Sequence, residues 1–414
     1  MKETEILIEL KTEFKNELTE NILYYWLNNT IDEKNGGYVG SINCDNVPQF
    51  DDPKGGILHS RILWTFSAAY KAFGNEEYKL AADRAYLYLK DHFIDKENGG
   101  TYWMVDANGK PSEDRKHVYA QAFSIYSLAE YFLAVKDEEA LNHAIALYNL
   151  IEKHAADTEN GGYFEAFSCE WKLIEDVRLS DKDENEPKSM NTHLHILEGY
   201  TNLYRAWPNA KLKEQLTTLV QIFIDKIVNE SRTSMINFMD LDWTPKSDII
   251  SFGHDIETTW LLCEAVNVLG DKSLLDKVNT IAISVAESVI SNGIDKDGGL
   301  INEANLSGIT DSDKDWWPQA EAVIGFLNAY EISGRKEFLQ ASFNSWDFIK
   351  NYMIDYTYGE WFEKVNQEGE PYKEMDKVRS WKGPYHNGRA ALEVMERVDC
   401  LFSTKKKLNK KEIA

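Results

Sequence analysis

The sequence predicts an all-α fold: an (α/α)6 barrel of six helical hairpins, with short β-hairpins and loops at the end that carries the site. Three observations predict it. A Gly-pair turn recurs along the whole chain. Two amphipathic segments flank each turn. The uncommon polar and aromatic residues gather at the start of the second segment in each copy.

The turn reads as a polar run, a Gly pair, then extended aromatic residues. It appears as Asn35-Gly36-Gly37-Tyr38, Asn98-Gly99-Gly100-Thr101-Tyr102-Trp103 and Asn160-Gly161-Gly162-Tyr163-Phe164. It returns as Asp297-Gly298-Gly299-Leu300 and, weakened, as Tyr358-Gly359-Glu360-Trp361. The spacing is about 62 residues, with room for one degenerate copy between the third and the next clear one. Met235-Ile236-Asn237-Phe238-Met239 fills that place.

Before each turn lies an amphipathic segment, such as Tyr78 to His92 or Ala140 to His154, with apolar residues three and four apart. After it, second helices begin near His59, Tyr119, Asn191, His254, Trp316 and His386. Phe73-Gly74, Leu269-Gly270 and Ser333-Gly334 read as glycine C-caps. Stacked hairpins make an open solenoid or a closed ring. The absence of polar terminal caps and the clustering at second-helix starts predict closure around a central pocket. The period thus predicts one domain over residues 1–400. The basic residues from Lys405 to Lys411 mark 401–414 as a disordered tail.

The net charge of −24 excludes nucleic acid and an anionic membrane face as partners. No apolar run approaches the ~20 residues of a membrane span, and Met1-Lys2-Glu3-Thr4-Glu5 opens no signal sequence. Cys44, Cys169, Cys263 and Cys400 have no metal spacing and read as reduced thiols. A cytoplasmic, soluble monomer is expected.

The second-helix starts carry His59-Ser60-Arg61, Tyr119-Ala120-Gln121, Asn191-Thr192-His193-Leu194-His195, His254-Asp255-Ile256-Glu257, Trp316-Trp317-Pro318-Gln319-Ala320-Glu321 and Trp381-Lys382-Gly383-Pro384-Tyr385-His386. Three- and four-residue spacing groups Asn191 with His195 and Glu198, His254 with Glu257, and His386 with Arg389. Histidines on equivalent elements, His195, His254 and His386, converge on the pocket, whereas His92, His143 and His154 read as structural. Trp26, Trp64 and Trp346 read as core. Arg61 opposes its helix dipole, which points to a ligand or an acidic partner.

A metal site built from His193, His195 and Glu198, or from His254 and Glu257, is the rival reading. His193 and His195 diverge on a helix, and no HExxH occurs. There is no GxGxxG after a strand, no GxxxxGK[ST] and no GxSxG, so neither a nucleotide cofactor nor a serine nucleophile is expected.

Four segments in order, Lys188 to His195, Gly253 to Glu257, Asp315 to Glu321 and Trp381 to His386, resemble the cellobiose 2-epimerases of the N-acylglucosamine 2-epimerase superfamily. The likeness runs from about Leu10 to Val398. It implies an (α/α)6 barrel and an isomerase that epimerises C2 of the reducing-end glucose in β-1,4-linked disaccharides, cellobiose and lactose among them. By similarity His254 and His386 are the general acid/base pair and His195 assists. Arg61, Tyr119, Asn191, Glu257, Trp316, Glu321 and Trp381 surround the sugar, with Asp183 a weaker addition. Glu257 is expected to orient His254, and Glu198 to orient His195. No metal or cofactor is expected.

Three other readings stay open. An N-acylglucosamine or mannose 2-epimerase, or an aldose–ketose isomerase, uses the same enediolate. An inverting glycoside hydrolase needs two carboxyl groups roughly 6.5–9.5 Å apart, and Glu257 with Glu321 is the candidate pair. A non-catalytic sugar-binding protein needs neither.

Overall fold

The computed structural model describes the backbone of residues 1–412 and the side chains as far as Thr404. Among the described residues there are twelve helices: α1 (3–29), α2 (Gly56–Phe73), α3 (76–93), α4 (Val118–Val135), α5 (Glu138–His154), α6 (Met190–Ala206), α7 (210–227), α8 (Phe252–Leu269), α9 (Lys272–Asn292), α10 (Trp316–Ser333), α11 (336–353) and α12 (Tyr385–Glu412). Even-numbered helices form an inner ring and odd-numbered helices an outer one. Each inner helix packs on the next, and α12 packs back on α2, so the ring is closed.

Composition sorts the helices between the rings. α4 is buried at every position from Val118 to Tyr131, as a helix enclosed by neighbours must be. α9 buries only Leu274, Val278, Ile281, Ala282, Val285, Ala286 and Val289, a single stripe at three- and four-residue steps. Each buried Leu, Ile or Val in such a stripe contributes ~1.5–3 kcal/mol. Four outer helices contain a wider π turn (Glu17–Ile22, Leu89–Phe93, Phe223–Ile227, Ile349–Met353), and each places its last residue, Ile22, Phe93, Ile227 or Met353, in the core.

The sequence spacing groups each outer helix with the inner helix after the Gly turn. In space the tight connection is the other one, from each inner helix to the outer helix that follows it. Gly74, Gly270 and Gly334 close three of these connections at φ of 65°, 72° and 67°, a left-handed geometry that costs glycine nothing. The sixth pair has no connection at all: α12 packs against α1 from the other end of the chain. Leu401 and Phe402 still pack on the core, so the compact body runs past the expected boundary at 400. The side chains after Thr404 and residues 413–414 of the expected tail lie outside the described residues.

The Gly turns gather at the opposite end. A strand pair ties each turn to its neighbour: Lys54–Gly55 with Met104–Val105, Lys116–His117 with Ala166–Phe167, Lys188–Ser189 with Phe238–Met239, Ile250–Ser251 with Glu303–Asn305, and Lys314–Asp315 with Lys364–Val365. An Ile42–Val378 bridge completes the circle. Five turns also carry an ion pair between the turn and a buried lysine in the segment leading into the inner helix: Asp32–Lys54, Asp95–Lys116, Asp157–Lys188, Asp295–Lys314 and Asp355–Lys377. The degenerate fourth turn has Asn229 and Ile250 at the two places. Both charges are missing together, as burial demands, since one alone would be uncompensated.

Candidate active site

All six inner helices begin at the turn end, so equivalent residues form layers across the barrel mouth, with helix N-termini facing inward. One layer serves the turns. His193 Nδ1 donates to the Ser189 carbonyl at 2.6 Å and its Nε2 accepts the Tyr163 N–H at 3.0 Å. His59 does the same with Gly55 and Tyr38. Gln121, Asp255 and Gln319 accept the matching N–H of Thr101, Met235 and Leu300, each at 2.7 Å. A Cβ on Gly162 would lie 2.7 Å from His193 Nε2, so the second glycine of this turn is needed for close approach.

Two residues further along lies a second layer: Arg61, Phe123, His195, Glu257, Glu321 and Arg389. Arg389 is its hub. Its guanidinium donates to Glu257 Oε1 at 2.6 Å, to Glu321 Oε1 at 2.7 Å, and to Glu198 and the Tyr385 hydroxyl. Burial and the charge of Glu321 push Glu257 well above the usual carboxylate range. Burial opposes ionisation of Glu321 too, but Arg389 and His386 overcome it and hold this carboxyl at about 2. The hub thus sets two buried carboxyls against each other across one guanidinium, with Glu257 pushed up and Glu321 held down.

A cavity of about 280 Å³ opens above this layer, lined by Arg61, Tyr119, Asn191, His195, His254, Glu257, Trp316, Trp381 and His386, with Asp183 reaching in from the loop before α6. Nine of the ten residues named from the sequence thus meet in one place. Glu321 does not line it; the side chain is fully buried behind His386. Arg61 is clasped between the rings of Phe123 and Tyr385, at 4.7 and 5.3 Å, and donates to the Tyr119 hydroxyl at 3.1 Å. Asn191 Oδ1 and Trp316 Nε1 are buried without a hydrogen-bond partner among the described residues. A second cavity, of about 260 Å³, adjoins the first and shares His254, Asn191, Asp183, Asp315 and Trp317 with it.

The three pocket histidines share one arrangement. His195 Nδ1 meets Glu198 at 2.9 Å, His386 Nδ1 meets Glu321 at 2.7 Å, and His254 Nδ1 meets the Ser251 hydroxyl at 2.8 Å. Among the described residues none of their Nε2 atoms is hydrogen-bonded. Burial lowers all three, His254 and His386 to about 3, so each is neutral at physiological pH. The Trp317 ring lies 4.6 Å from His254 and 5.7 Å from His386, touching both.

Two expectations need correction. Glu257 does not orient His254; it accepts from Arg389 within its own layer, and Ser251 takes that place. Glu321 stands behind His386, not around a sugar. Trp317, Tyr385 and Ser251 were given no role by the sequence reading, and Arg389 only its grouping with His386. Arg389 shares a helix face with His386, which was visible, but its partners come from three other helices. His193 is consumed by the turn, which removes the His193–His195 metal set. Glu257, Glu321 and His386 bring ligand atoms within 4.8 Å of one another, yet the Arg389 guanidinium bonds both carboxylates and takes the place a cation would fill. That closeness is also too short for an inverting hydrolase pair.

This geometry defines a closed helical barrel with a histidine-lined pocket at its mouth, and known proteins share the barrel. The model of the N-acylglucosamine 2-epimerase family matches residues 37–390. Cellobiose 2-epimerase of Bacteroides fragilis is 46% identical over 93% of this chain and 98% of its own. That of Dictyoglomus turgidum is 41% identical over 94% and 99%. The structure of cellobiose 2-epimerase from Bacillus thermoamylovorans superposes with a TM-score of 0.89 at 41% identity, covering 94% of this chain and 99% of that one. The chain belongs to the N-acylglucosamine 2-epimerase family, in its cellobiose 2-epimerase branch, and is a carbohydrate epimerase. A GH76 α-mannanase with a TM-score of 0.63 at 12% identity shares the fold alone. Among the described residues no helix is long and apolar enough to cross a membrane.

Proposed function

We propose that the pocket inverts C2 of the reducing-end glucose in a β-1,4-linked disaccharide, taking cellobiose to 4-O-β-glucosyl-mannose and lactose to epilactose. One observation carries this reading: His254 and His386, on inner helices two places apart, are both neutral, held through Nδ1, and have Nε2 free at the cavity. The named relatives support the substrate class.

Ring opening moves the O1 hydroxyl proton to a base and a proton to the ring oxygen, leaving a C1 aldehyde. A neutral histidine then takes the C2 proton, and the C2–H electrons form the C1–C2 double bond of an enediolate. The second histidine, which took the O1 hydroxyl proton on its Nε2 at ring opening, returns it to C2 from the other face. A positioned base contributes ~10²–10⁴-fold, and each oxyanion donor on the order of 3 kcal/mol. Arg61 and the converging helix N-termini are the donors nearest the cavity. Asn191 and Trp316, with unpaired polar atoms, hold hydroxyl groups, and the Trp316 and Trp381 faces carry the pyranose rings. Glu198 and Glu321 fix their histidines as Nε2 bases, because a carboxylate only accepts. His195 assists from beside Tyr119, whose ring lies 4.7 Å away. The chemistry needs no metal or cofactor, and the free thiols Cys44, Cys169, Cys263 and Cys400 support a cytoplasmic setting.

The test is incubation of the purified, chelator-treated protein with cellobiose, lactose, mannose and N-acetylmannosamine, with product separation. C2 epimers of the disaccharides are expected. Ketoses alone, epimers of the monosaccharides alone, or released glucose would replace the reading with an isomerase, a monosaccharide epimerase or a hydrolase.

A further inference from the structure

His254 differs from the other pocket histidines in its second partner. His195 and His386 face carboxylates, which only accept a hydrogen bond. His254 faces a hydroxyl, which both donates and accepts. A neutral His386 therefore keeps its proton on Nδ1 and presents a lone pair at Nε2. A neutral His254 has two tautomers of similar energy: Nδ1–H donating to Ser251 Oγ, or Ser251 O–H donating to Nδ1 with the proton on Nε2.

Ser251 is also spared another task. It is the N-cap residue of α8, the position where a serine side chain normally accepts a helix N–H, yet it makes no cap hydrogen bond. Ser189, at the equivalent place before α6, does cap its helix, accepting from Thr192 at 3.1 Å. The Ser251 hydroxyl is committed to His254 alone, and it opens on the second cavity, where Glu303 pairs with Ser251 across the strands. The His254 ring borders both cavities.

We propose that Ser251 is the positioning and proton-relay residue of His254, letting one neutral imidazole serve as base and then as acid. The proposal rests on the epimerase reading of the pocket. In the base form, the C2–H bond breaks and its proton joins Nε2. The Nδ1 proton passes to Ser251 Oγ, whose own proton goes to water or Glu303 in the second cavity. The imidazole is again neutral, now with Nε2–H. When a sugar oxygen takes the Nε2 proton, Nδ1 recovers one from Ser251, which is reprotonated from the same cavity. His386 has no such route, because Glu321 is sealed among Arg389, Trp260 and His386.

The experiment combines kinetics with nitrogen NMR. In histidine-15N-labelled wild-type protein, the His254 nitrogens are expected to report both neutral tautomers and those of His386 only Nδ1–H. A single His254 tautomer overturns the proposal, whatever the activity. Ser251→Ala is expected to lower kcat about 10–100-fold, within the range for a positioned acid or base, with KM and melting temperature little changed. It should also shrink the solvent deuterium isotope effect on kcat, and Ser251→Thr should restore both. A lower kcat with an unchanged isotope effect means that the hydroxyl only orients the ring, and overturns the relay; so does an unchanged kcat. If wild type forms no C2 epimer while both His254 tautomers are seen, it is the epimerase reading that fails.

Discussion

His193 and His195 stand two residues apart on the same inner helix, both buried, and belong to different layers of the barrel. His193 spends both nitrogens on backbone, one on Ser189 and one on Tyr163. His195 spends one, on Glu198, and leaves Nε2 at the cavity. Around the ring, one layer clamps the Gly turns, and the pocket is lined by Arg61, His195 and Glu257 of the next layer together with residues from the helix starts. Burial and residue type do not separate these two histidines; the ring nitrogens do, both being spent on His193 and one on His195.

The largest test of this division is in the pocket. His254→Ala and His386→Ala should each lower kcat for disaccharide epimerisation by ~10²–10⁴-fold, with the melting temperature moved by a few degrees at most. Either variant keeping a near-normal rate would remove that residue from the chemistry. Next comes the hub beneath. Arg389→Met leaves Glu198, Glu257 and Glu321 without their shared cation, at a cost of about 3–5 kcal/mol in urea unfolding, and activity should fall with it. An unchanged unfolding midpoint would mean that the carboxyls simply take up protons.

The turn layer gives smaller, non-catalytic effects. Asp157→Asn alone strands a buried Lys188 and should cost about 3 kcal/mol. The double change Asp157→Asn, Lys188→Ile copies the fourth turn and should recover most of it; no recovery would mean that Asn229 and Ile250 are not a matched replacement. Smallest is His193→Gln, the residue type that Gln121 and Gln319 supply at the same position. It should cost less than about 1.5 kcal/mol at pH 7 and leave kcat alone. Its sign then changes with pH. Burial holds folded His193 at about 4, below the ordinary 6.5, so the unfolded chain binds more protons between those values and wild type loses stability as pH falls through them. Between pH 7 and pH 5 the variant should gain about 2 kcal/mol relative to wild type. A pH-independent difference would show His193 protonated in the fold.

The architecture was legible because each Gly turn is a local necessity repeated along the chain. Where the necessity is met by other residues, the motif fades. Glu360 takes the second-glycine place at φ 63° and turns its carboxylate to Trp26 and Asn387. The pocket members were legible because they cluster at or near the starts of the inner helices. What sequence spacing misread were contacts between helices. Glu257 is one turn from His254 along α8, yet the curvature of the ring aims it at Arg389 on α12. The pairing of α1 with α12 leaves no trace in any local pattern, and Ser251 looks like an ordinary helix cap until its hydroxyl is followed.

That last pairing sets a timetable. At roughly 5–20 residues per second of synthesis, α1 emerges tens of seconds before the helix that covers its apolar face, while Leu7, Leu10, Phe14 and Leu18 wait. Ring closure is thus the final event of folding, a contact of maximal sequence separation. Until it forms, the nascent chain is an open arc with two adhesive ends, and a second arc is the natural competitor for them.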